Sequence, residues 1–392
     1  MSKAIEKLLN KNVEEVIVKK DLEKLLLSGK KLRIYIGVDP SSPVIHIGHA
    51  VGLRKLREFQ DLGHKVIFLI GDFTGRIGDP SGKTNQRVPL TEEEVLENAK
   101  TYLDQASKII DIKKAEIRYN AEWLDKLTFK DVVMLASNFT VQQMIERDMF
   151  KERLKTNKPI GLHEFLYPLM VGYDSVALDV DIEMGGTDQT FNMLAGRTLM
   201  KTMKGKEKHV LSVPLLLGTD GRKMSKSYGN VIGVDDPADD MFGKVMSIKD
   251  ELIIQYFELC TDRDDEEIKE ITKKLKGGEN PRNLKFELAK DIVTTYHSSK
   301  AAETAGQEFE KIFKDKGKPT DMPKVSYSKG DKLVDVLVES KIVDSKSEVR
   351  RLIQQNGVKD NDETVTDIDY TLANGKHTVQ VGKRRFVELS EK

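Results

Sequence analysis

The chain has few of the groups that would support a disulfide or a membrane anchor. Its 392 residues include a single cysteine, Cys260, and a single tryptophan. One cysteine excludes an internal disulfide and a cysteine-based zinc cage. No stretch approaches ~18 uncharged apolar residues, and the charged N-terminus has no apolar core of a signal peptide. We therefore expect a cytoplasmic protein that has no membrane partner.

The chain also lacks an excess of charge of either sign. Lysine and arginine together number 64, as do aspartate and glutamate. The balance gives no sign of a polyanionic partner, although a neutral sum can hide a basic face. The length suggests about two to four domains of a globular protein.

Strand and helix patterns alternate over the first 232 residues. The apolar pattern predicts strands at 32–39, 65–72, 116–120, 180–186 and 209–216. It predicts helices at 4–28, 46–62, 91–110, 129–155 and 163–177, and another from about Thr187. Near-continuous apolar strands that alternate with helices indicate an α/β fold, with a Rossmann-like parallel sheet covered on both faces.

The pattern changes twice after this region. Residues 235–317 carry helical patterns only, and from about 329 short helices precede alternating strands. We therefore predict four parts: a Rossmann-like domain over 1–232, an all-α domain over 233–318, a linker over 319–328 and a small α+β domain over 329–392.

Two histidines, His46 and His49, flank Ile47 and Gly48 at the start of a predicted helix. Zinc-binding helices usually space histidines at i, i+4 and need a third ligand, which is not found nearby, so we predict no metal site. Two surface histidines are the ordinary interpretation of such a pair. Among functional interpretations, a phosphate site is better than a metal site, because a helix N-terminus presents free N–H groups and imidazoles add donors.

A second basic segment, "GRKMSKSYGN" at 221–230, follows the last predicted strand. Two lysines in a loop rich in glycine and serine are most often a solvated surface. As a mobile arm, the same loop could close over a triphosphate and neutralise its charge.

The two segments together, in this order on this β/α pattern, resemble the paired signature of class I aminoacyl-tRNA synthetases. The Walker A signature is absent, which excludes a P-loop enzyme. The resemblance implies that His46, His49, Lys223 and Lys226 stabilise the phosphates of ATP while an amino acid carboxylate attacks the α-phosphate. It also implies Mg²⁺ that accompanies ATP.

The segments "YIGVDPS", "GDFTGRIGDPSGK", "YPLMVGYDS" and "GGTDQTFN" resemble bacterial tyrosyl-tRNA synthetases, and the likeness covers nearly the whole chain. It implies a tyrosine pocket formed by Tyr35, Thr74, Asp79, Tyr167, Val171, Asp174 and Gln189. It implies nucleotide contacts from Gly37, Asp39, Gly48, Gly186, Asp188, Met224 and Ser225. It implies further catalytic contacts from Lys83, Arg87 and Ser41, the last in a position where threonine is usual.

The pocket chemistry agrees with this resemblance. A binding site distinguishes a phenol from a phenyl ring through buried hydrogen-bond partners for the hydroxyl. Tyr35 and Asp174 offer a donor and an acceptor for it. Taken alone, Tyr35 and Tyr167 would be ordinary core aromatics. Val171 is a departure, because the family commonly has glutamine there. We expect weaker tyrosine binding, or compensation by a group such as Glu183 or an ordered water.

The C-terminal 64 residues resemble a small S4-like RNA-binding domain. Its basic residues Arg350, Arg351, Lys383, Arg384 and Arg385 could contact RNA phosphates, or form a solvated face. The resemblance implies a homodimeric tyrosine–tRNA ligase whose partners are tyrosine, ATP and tRNA(Tyr), with the interface in apolar helices around 130–165. Two alternatives stay open: an RNA-binding protein that lost tyrosine activation, and another class I synthetase such as the tryptophanyl relative.

Overall fold

The computed structural model describes residues 3–81, 90–225, 228–313, 322–343, 345–382 and 385–392. The chain forms two compact units, residues 1–236 with 248–284, and residues 237–247 with 285–392. The predicted division into four parts remains a prediction. Five predicted site residues lie outside the described ranges: Lys83, Arg87, Lys226, Lys383 and Arg384.

Eleven strands are found in the described residues. They are β1 Glu15–Ile17, β2 Arg33–Val38, β3 Lys65–Ile70, β4 Glu116–Tyr119, β5 Ile182–Gly186, β6 His209–Val213, β7 Lys324–Tyr327, β8 Val358–Asp360, β9 Glu363–Thr364, β10 Lys376–Val381 and β11 Arg385–Glu391. The first unit contains a six-stranded sheet in the order β1-β6-β5-β2-β3-β4. All neighbours from β6 to β4 are parallel, which confirms the predicted sheet.

Nineteen α-helices accompany these strands in the described ranges. They are α1 Lys3–Asn10, α2 Lys19–Leu27, α3 Ile47–Asp61, α4 Thr74–Ile77, α5 Glu92–Ala99, α6 Tyr102–Ser107, α7 Ala121–Leu124, α8 Phe129–Ala136, α9 Val141–Ile145, α10 Asp148–Lys155, α11 Leu162–Leu178, α12 Thr190–Lys204, α13 Ala238–Met246, α14 Ile253–Cys260, α15 Asp265–Lys276, α16 Pro281–Tyr296, α17 Ser299–Phe313, α18 Leu333–Glu339 and α19 Lys346–Gln354. No helix among them is long and apolar enough to cross a membrane.

Two helix predictions are wrong in detail. The single helix predicted over 4–28 is interrupted by β1, which pairs antiparallel with β6 at the sheet edge. Asn12 and Val18 both have positive φ, at 54° and 58°, so no continuous helix can pass through them. The helix predicted from Thr91 begins with the expected capping box to Glu94, but it ends at Ala99 and a second helix follows.

The strand order creates a crevice beside β2. The chain runs from β2 outward to β3 and β4, then returns to place β5 and β6 on the other side of β2. Helices on either side of such a reversal diverge, so open α/β sheets bind ligands at the carboxyl ends of these strands. The sequence motifs that follow β2 and β5 therefore share one edge of the sheet.

The second unit contains an aromatic helical core and a small sheet. Phe242 of α13 packs edge-to-face on Phe286 of α16, with ring centroids 5.1 Å apart. The C-terminal sheet has the order β7-β11-β10-β8-β9. Helices α18 and α19 supply Leu337 and Ile353 to the same buried cluster as the strand residues. This is the α+β arrangement that the sequence predicts.

Candidate active site

The two histidines cap α3 reciprocally. His46 Nδ1 accepts from the His49 N–H, and His49 Nδ1 accepts from the His46 N–H, both at 3.4 Å. The rings stack with centroids 3.8 Å apart. A neutral imidazole whose Nδ1 accepts carries its hydrogen on Nε2. Each ring therefore keeps an Nε2–H donor for an anionic ligand, as the phosphate interpretation requires.

Both imidazoles are neutral near pH 7. Burial lowers the pKa of His49 to about 4; nearby Asp188 opposes this shift, and Lys223 reinforces it. The pKa of His46 falls well below its usual value, mainly through burial and then through His49 and Lys223. The pair thus offers hydrogen-bond donors to an anion without holding a full charge.

Gly48 is required by the packing at this helix start. A Cβ on Gly48 would lie 2.9 Å from His46 Nδ1 and 3.4 Å from Met224 Sδ. Any larger residue would displace the capping imidazole. The buried Met224 also shows that the loop at 223–225 lies against the beginning of α3, so the two sequence motifs meet.

Lys223 connects this loop to the end of β5. Its Nζ donates to Asp188 Oδ2 at 2.6 Å. A Cβ on Gly186 would lie 2.8 Å from Asp188 Oδ1, so glycine is needed beside this carboxylate. Asn230, which the sequence did not reveal, holds the loop by accepting from the Ser225 N–H at 2.8 Å.

Asp39 follows β2 and accepts two short hydrogen bonds. Thr74 Oγ1 donates to one carboxylate oxygen and the Tyr167 hydroxyl to the other, both at 2.7 Å. Burial and the Asp39 charge raise the pKa of Tyr167 well above its usual value, so its hydroxyl stays a donor. Gly37 lies in β2, and Ser41 is exposed just beyond Asp39.

Asp79 meets Gln189, which follows β5. Gln189 Nε2 donates to Asp79 Oδ2 at 2.7 Å, and the Ser81 N–H donates to Asp79 Oδ1 at 2.9 Å. Asn192 in turn donates to Gln189 Oε1 at 2.7 Å. A carboxylate and an amide are therefore adjacent, where the resemblance expects the ammonium and carboxylate of an amino acid.

Arg147 lies beside this pair and was not found from the sequence. Its Nη2 donates to Ser81 Oγ at 2.9 Å, which links it to Asp79 through one residue. Burial lowers the pKa of Arg147 to about 10, an effect that Asp79 opposes. Its position before a short exposed helix resembles a surface arginine, so the sequence carried no signal for it.

The deepest part of the crevice holds Tyr35 and Asp174, which are 1% and 2% exposed. Trp123 Nε1 donates to Asp174 Oδ1 at 2.7 Å, and Asn120 Nδ2 donates to Asp174 Oδ2 at 3.2 Å. Burial raises the pKa of Asp174 well above its usual value, while these two bonds oppose the rise. Asn120 and Trp123 were also missed, although Trp123 is the only tryptophan in the chain.

Val171 is half-buried on α11, between Tyr167 and Ser175. Its backbone oxygen lies 3.5 Å from the Tyr35 hydroxyl. Glu183, named as a possible compensating group, instead forms an ion pair with Lys208 and accepts from Ser175. That pairing places Glu183 near the phenol of Tyr35 rather than at Asp79.

The arginines predicted to contact RNA differ in exposure and in their bonds within the domain. Arg350 and Arg351 are exposed on α19. Arg385 is held within the small domain, where Nη2 donates to Glu348 Oε1 at 2.7 Å and Nη1 donates to the Ile342 backbone oxygen.

Comparison with known proteins identifies the family. A profile described as class I tRNA synthetases (W and Y) matches residues 27–314, and one for the C-terminal domain of SYY-like tyrosine–tRNA ligases matches 311–387. The chain is 50% identical over 387 residues to the tyrosine–tRNA ligase of Thermotoga maritima, across 98% of this chain and 96% of the relative. The chain belongs to the tyrosine–tRNA ligase family. The corresponding ligase of Mannheimia succiniciproducens is 48% identical, with 97% of both chains covered.

Solved structures of tyrosine–tRNA ligases share the fold. The tyrosyl-tRNA synthetase of Archaeoglobus fulgidus, complexed with L-tyrosine, has a TM-score of 0.62 at 24% identity and covers 78% of this chain and 100% of its own. A truncated mitochondrial enzyme from Aspergillus nidulans has a TM-score of 0.64 at 22% identity, over 79% of this chain and 93% of its own. The family predicted from the sequence is confirmed, and neither alternative is favoured.

The lowered pKa of His49 makes stability depend on pH. Below about pH 6.5 the unfolded imidazole takes up a proton that the folded one resists until about pH 4, so acidification favours the unfolded chain. We expect the free energy of unfolding to fall over this range, and to fall less in His49→Gln. Urea unfolding of both proteins at several pH values tests this. Parallel curves would contradict it.

Proposed function

We propose that this tyrosine–tRNA ligase activates tyrosine with ATP in the crevice at the carboxyl ends of β2 and β5. Tyrosyl-adenylate and pyrophosphate form first, and the tyrosyl group then passes to the 3′ end of tRNA(Tyr). The observation that carries the proposal is the meeting of Lys223, Asp188 and the His46–His49 cap at the edge that also holds Asp79. The groups that would donate hydrogen bonds to phosphates and the groups that would bind the amino acid thus face the same space.

Tyrosine would lie with its phenol toward Tyr35 and Asp174 and its ammonium toward Asp79 and Tyr167. Thr74 keeps Asp39 in place beside Tyr167, and the Gln189 amide is the partner for the reacting carboxylate. No nucleophilic side chain is needed, because positioning of the carboxylate against the α-phosphate and stabilisation of the developing charge provide the acceleration.

ATP would occupy the half of the crevice between α3 and β5. Asp188 is the acceptor for the ribose hydroxyls once Lys223 moves to the phosphates, and the glycines allow close approach. The nucleotide set is Gly37, Asp39, Gly48, Gly186, Asp188, Met224 and Ser225. The phosphate set is His46, His49, Lys223 and Ser41, with Lys83, Arg87 and Lys226 proposed from the resemblance alone.

Mg²⁺ would arrive as part of the ATP substrate. Within the described residues, no group of three or more histidine, cysteine, aspartate or glutamate side chains could hold a metal ion. The two carboxylates of the proposed nucleotide set, Asp39 and Asp188, already accept hydrogen bonds from protein donors. ATP phosphates and water are therefore the ligands that we propose for the ion.

The C-terminal parts would contact tRNA(Tyr). We propose residues 233–318 as the anticodon-side helical domain and 329–392 as the S4-like domain. Arg350 and Arg351 are the described residues best placed for phosphate contacts, because their side chains are exposed. We also propose a cytoplasmic location for the protein.

We propose a homodimer formed through the helices between 129 and 162. Large apolar side chains are exposed there: Phe129, Val133, Met134, Val141, Leu154 and Leu162. Phe129 is 85% exposed and Leu162 is 78% exposed, which is unusual for side chains of this size. A second copy that presents the same face would bury them, as closed isologous dimers do.

Pyrophosphate exchange tests the activation step. Labelled pyrophosphate should enter ATP with tyrosine present, and phenylalanine or tryptophan should support far less exchange, because neither supplies the phenol hydroxyl that would pair with Tyr35 and Asp174. Tyrosine-dependent exchange establishes the proposed reaction. Exchange with tryptophan, or none from folded protein, would refute it.

The amide missing at position 171 gives a second prediction. Val171→Gln should lower the KM for tyrosine by about three- to tenfold, because the amide that the resemblance places here would add a hydrogen bond to the substrate ammonium. Val171→Leu is the matched control, since it adds bulk without an amide, and its KM should not fall. An unchanged KM in Val171→Gln would show that the position is silent.

The dimer proposal predicts the mass of the particle in solution. The wild type should sediment at twice the chain mass of 44.3 kDa. Phe129→Asp should raise the dimer dissociation constant by about tenfold or more, because a charge would be buried in the interface. Leu27→Asp, at an exposed leucine on α2, should leave the dimer intact. A monomeric wild type would contradict the proposal.

A further inference from the structure

A buried ion pair lies beside the phenol of Tyr35, and the proposed reaction gives it no role. Lys208 precedes β6 and is fully buried, and Glu183 of β5 is 3% exposed. Besides Glu183, Lys208 Nζ donates to Ser175 Oγ at 3.1 Å and to the Met193 backbone oxygen at 2.8 Å. Three acceptors use all three of its N–H donors.

The surrounding helices leave space for this lysine. A Cβ on Gly196 of α12 would lie 2.5 Å from Lys208 Nζ and 2.6 Å from Ser175 Oγ. A side chain at this position would expel the ammonium group from its acceptors. Because Gly196 has no side chain, the ion pair can form this deep in the protein.

The pair reaches Tyr35 through Ser175. Ser175 Oγ donates to Glu183 Oε2 at 3.1 Å and lies 3.1 Å from the Tyr35 hydroxyl. Glu183 also acts on Tyr35 directly. Burial is the largest cause that raises the pKa of this phenol, and the negative charge of Glu183 is the second largest. A carboxylate without its cation would therefore compete for the hydroxyl hydrogen of Tyr35.

We propose that Lys208 is a positioning residue for tyrosine recognition. By neutralising Glu183 and donating to Ser175 Oγ, it weakens the pull of both acceptors on the hydroxyl hydrogen of Tyr35, which can then be donated to the oxygen of the substrate phenol. The substrate hydroxyl can then donate its own hydrogen to Asp174. This inference rests on the proposed function, because it assumes that the phenol of tyrosine lies between Tyr35 and Asp174.

Removal of the cation should weaken tyrosine recognition more than catalysis. In Lys208→Met, the Glu183 carboxylate should draw the Tyr35 hydrogen away from the pocket. We expect the KM for tyrosine to rise about tenfold and the preference for tyrosine over phenylalanine to fall by a similar factor, with kcat changed less than about threefold. Pyrophosphate exchange gives these constants, and equilibrium dialysis gives tyrosine affinity independently.

Rescue separates this role from a packing role. Lys208→Met/Glu183→Gln removes the competing charge, so its tyrosine KM should return to within about threefold of the wild type. A packing defect would not recover. Lys55→Met is the matched control, because Lys55 is 1% exposed and pairs with Glu58 away from the pocket. It should change tyrosine KM by less than about twofold.

Ser175→Ala provides a second variant in which both charges remain. It removes the link between the ion pair and Tyr35, and the KM for tyrosine should rise about threefold. If the wild type is active but Lys208→Met has the same tyrosine KM as Lys55→Met, this inference is overturned and the proposed function is not. A double variant no better than Lys208→Met would also overturn this inference. A wild type that neither binds tyrosine nor exchanges pyrophosphate would overturn the proposed function, and this inference with it.

Discussion

The reversal of strand order at β2 is the constraint on which the site depends. Because β2 and β5 are parallel neighbours, the residues that follow them emerge at the same edge of the sheet. Asp39 and Asp188 are far apart in the chain, yet both lie in this crevice. The cap of α3, which begins beyond β2, contributes the His46–His49 pair at the same edge. The position of the proposed site thus follows from the strand order, and the segments after the strands supply its polar side chains.

The groups that would bind substrate are paired with one another in the structure described. Lys223 holds Asp188, Gln189 holds Asp79, and the Tyr167 hydroxyl holds Asp39. Exchanging one partner for another costs less than desolvating a bare carboxylate, so a substrate ammonium or ribose can replace these donors without a large penalty. The arrangement keeps the carboxylates oriented while their partners remain replaceable.

The parallel sheet, the capped α3 and the residues of the sequence motifs could be predicted, because each has a local signature such as an apolar run or a helix-start pattern. The strand β1 could not, since Val13, Val16 and Ile17 also fit a helical face and only pairing with β6 selects the extended form. Asn120 and Lys208 were missed for a different reason. A single amide or lysine carries no periodic signal, and its importance appears only when tertiary packing buries it beside Asp174 or Glu183.

The two ends of the proposed tyrosine pocket differ physically. At the phenol end, Asn120 donates both to Asp174 and to Thr74 Oγ1, at 3.2 and 2.9 Å, and burial is nearly complete. A buried, hydrogen-bonded cluster resists reorientation, so it could impose a strict requirement on the hydroxyl of the proposed substrate. At the other end, Ser41 and Lys223 are exposed, so the Lys223–Asp188 ion pair can exchange its partners, which the proposed phosphate chemistry requires. Asn120 joins the ends, because Thr74 in turn holds Asp39. In the proposed site, the groups that select tyrosine can therefore stay rigid while the groups around ATP move.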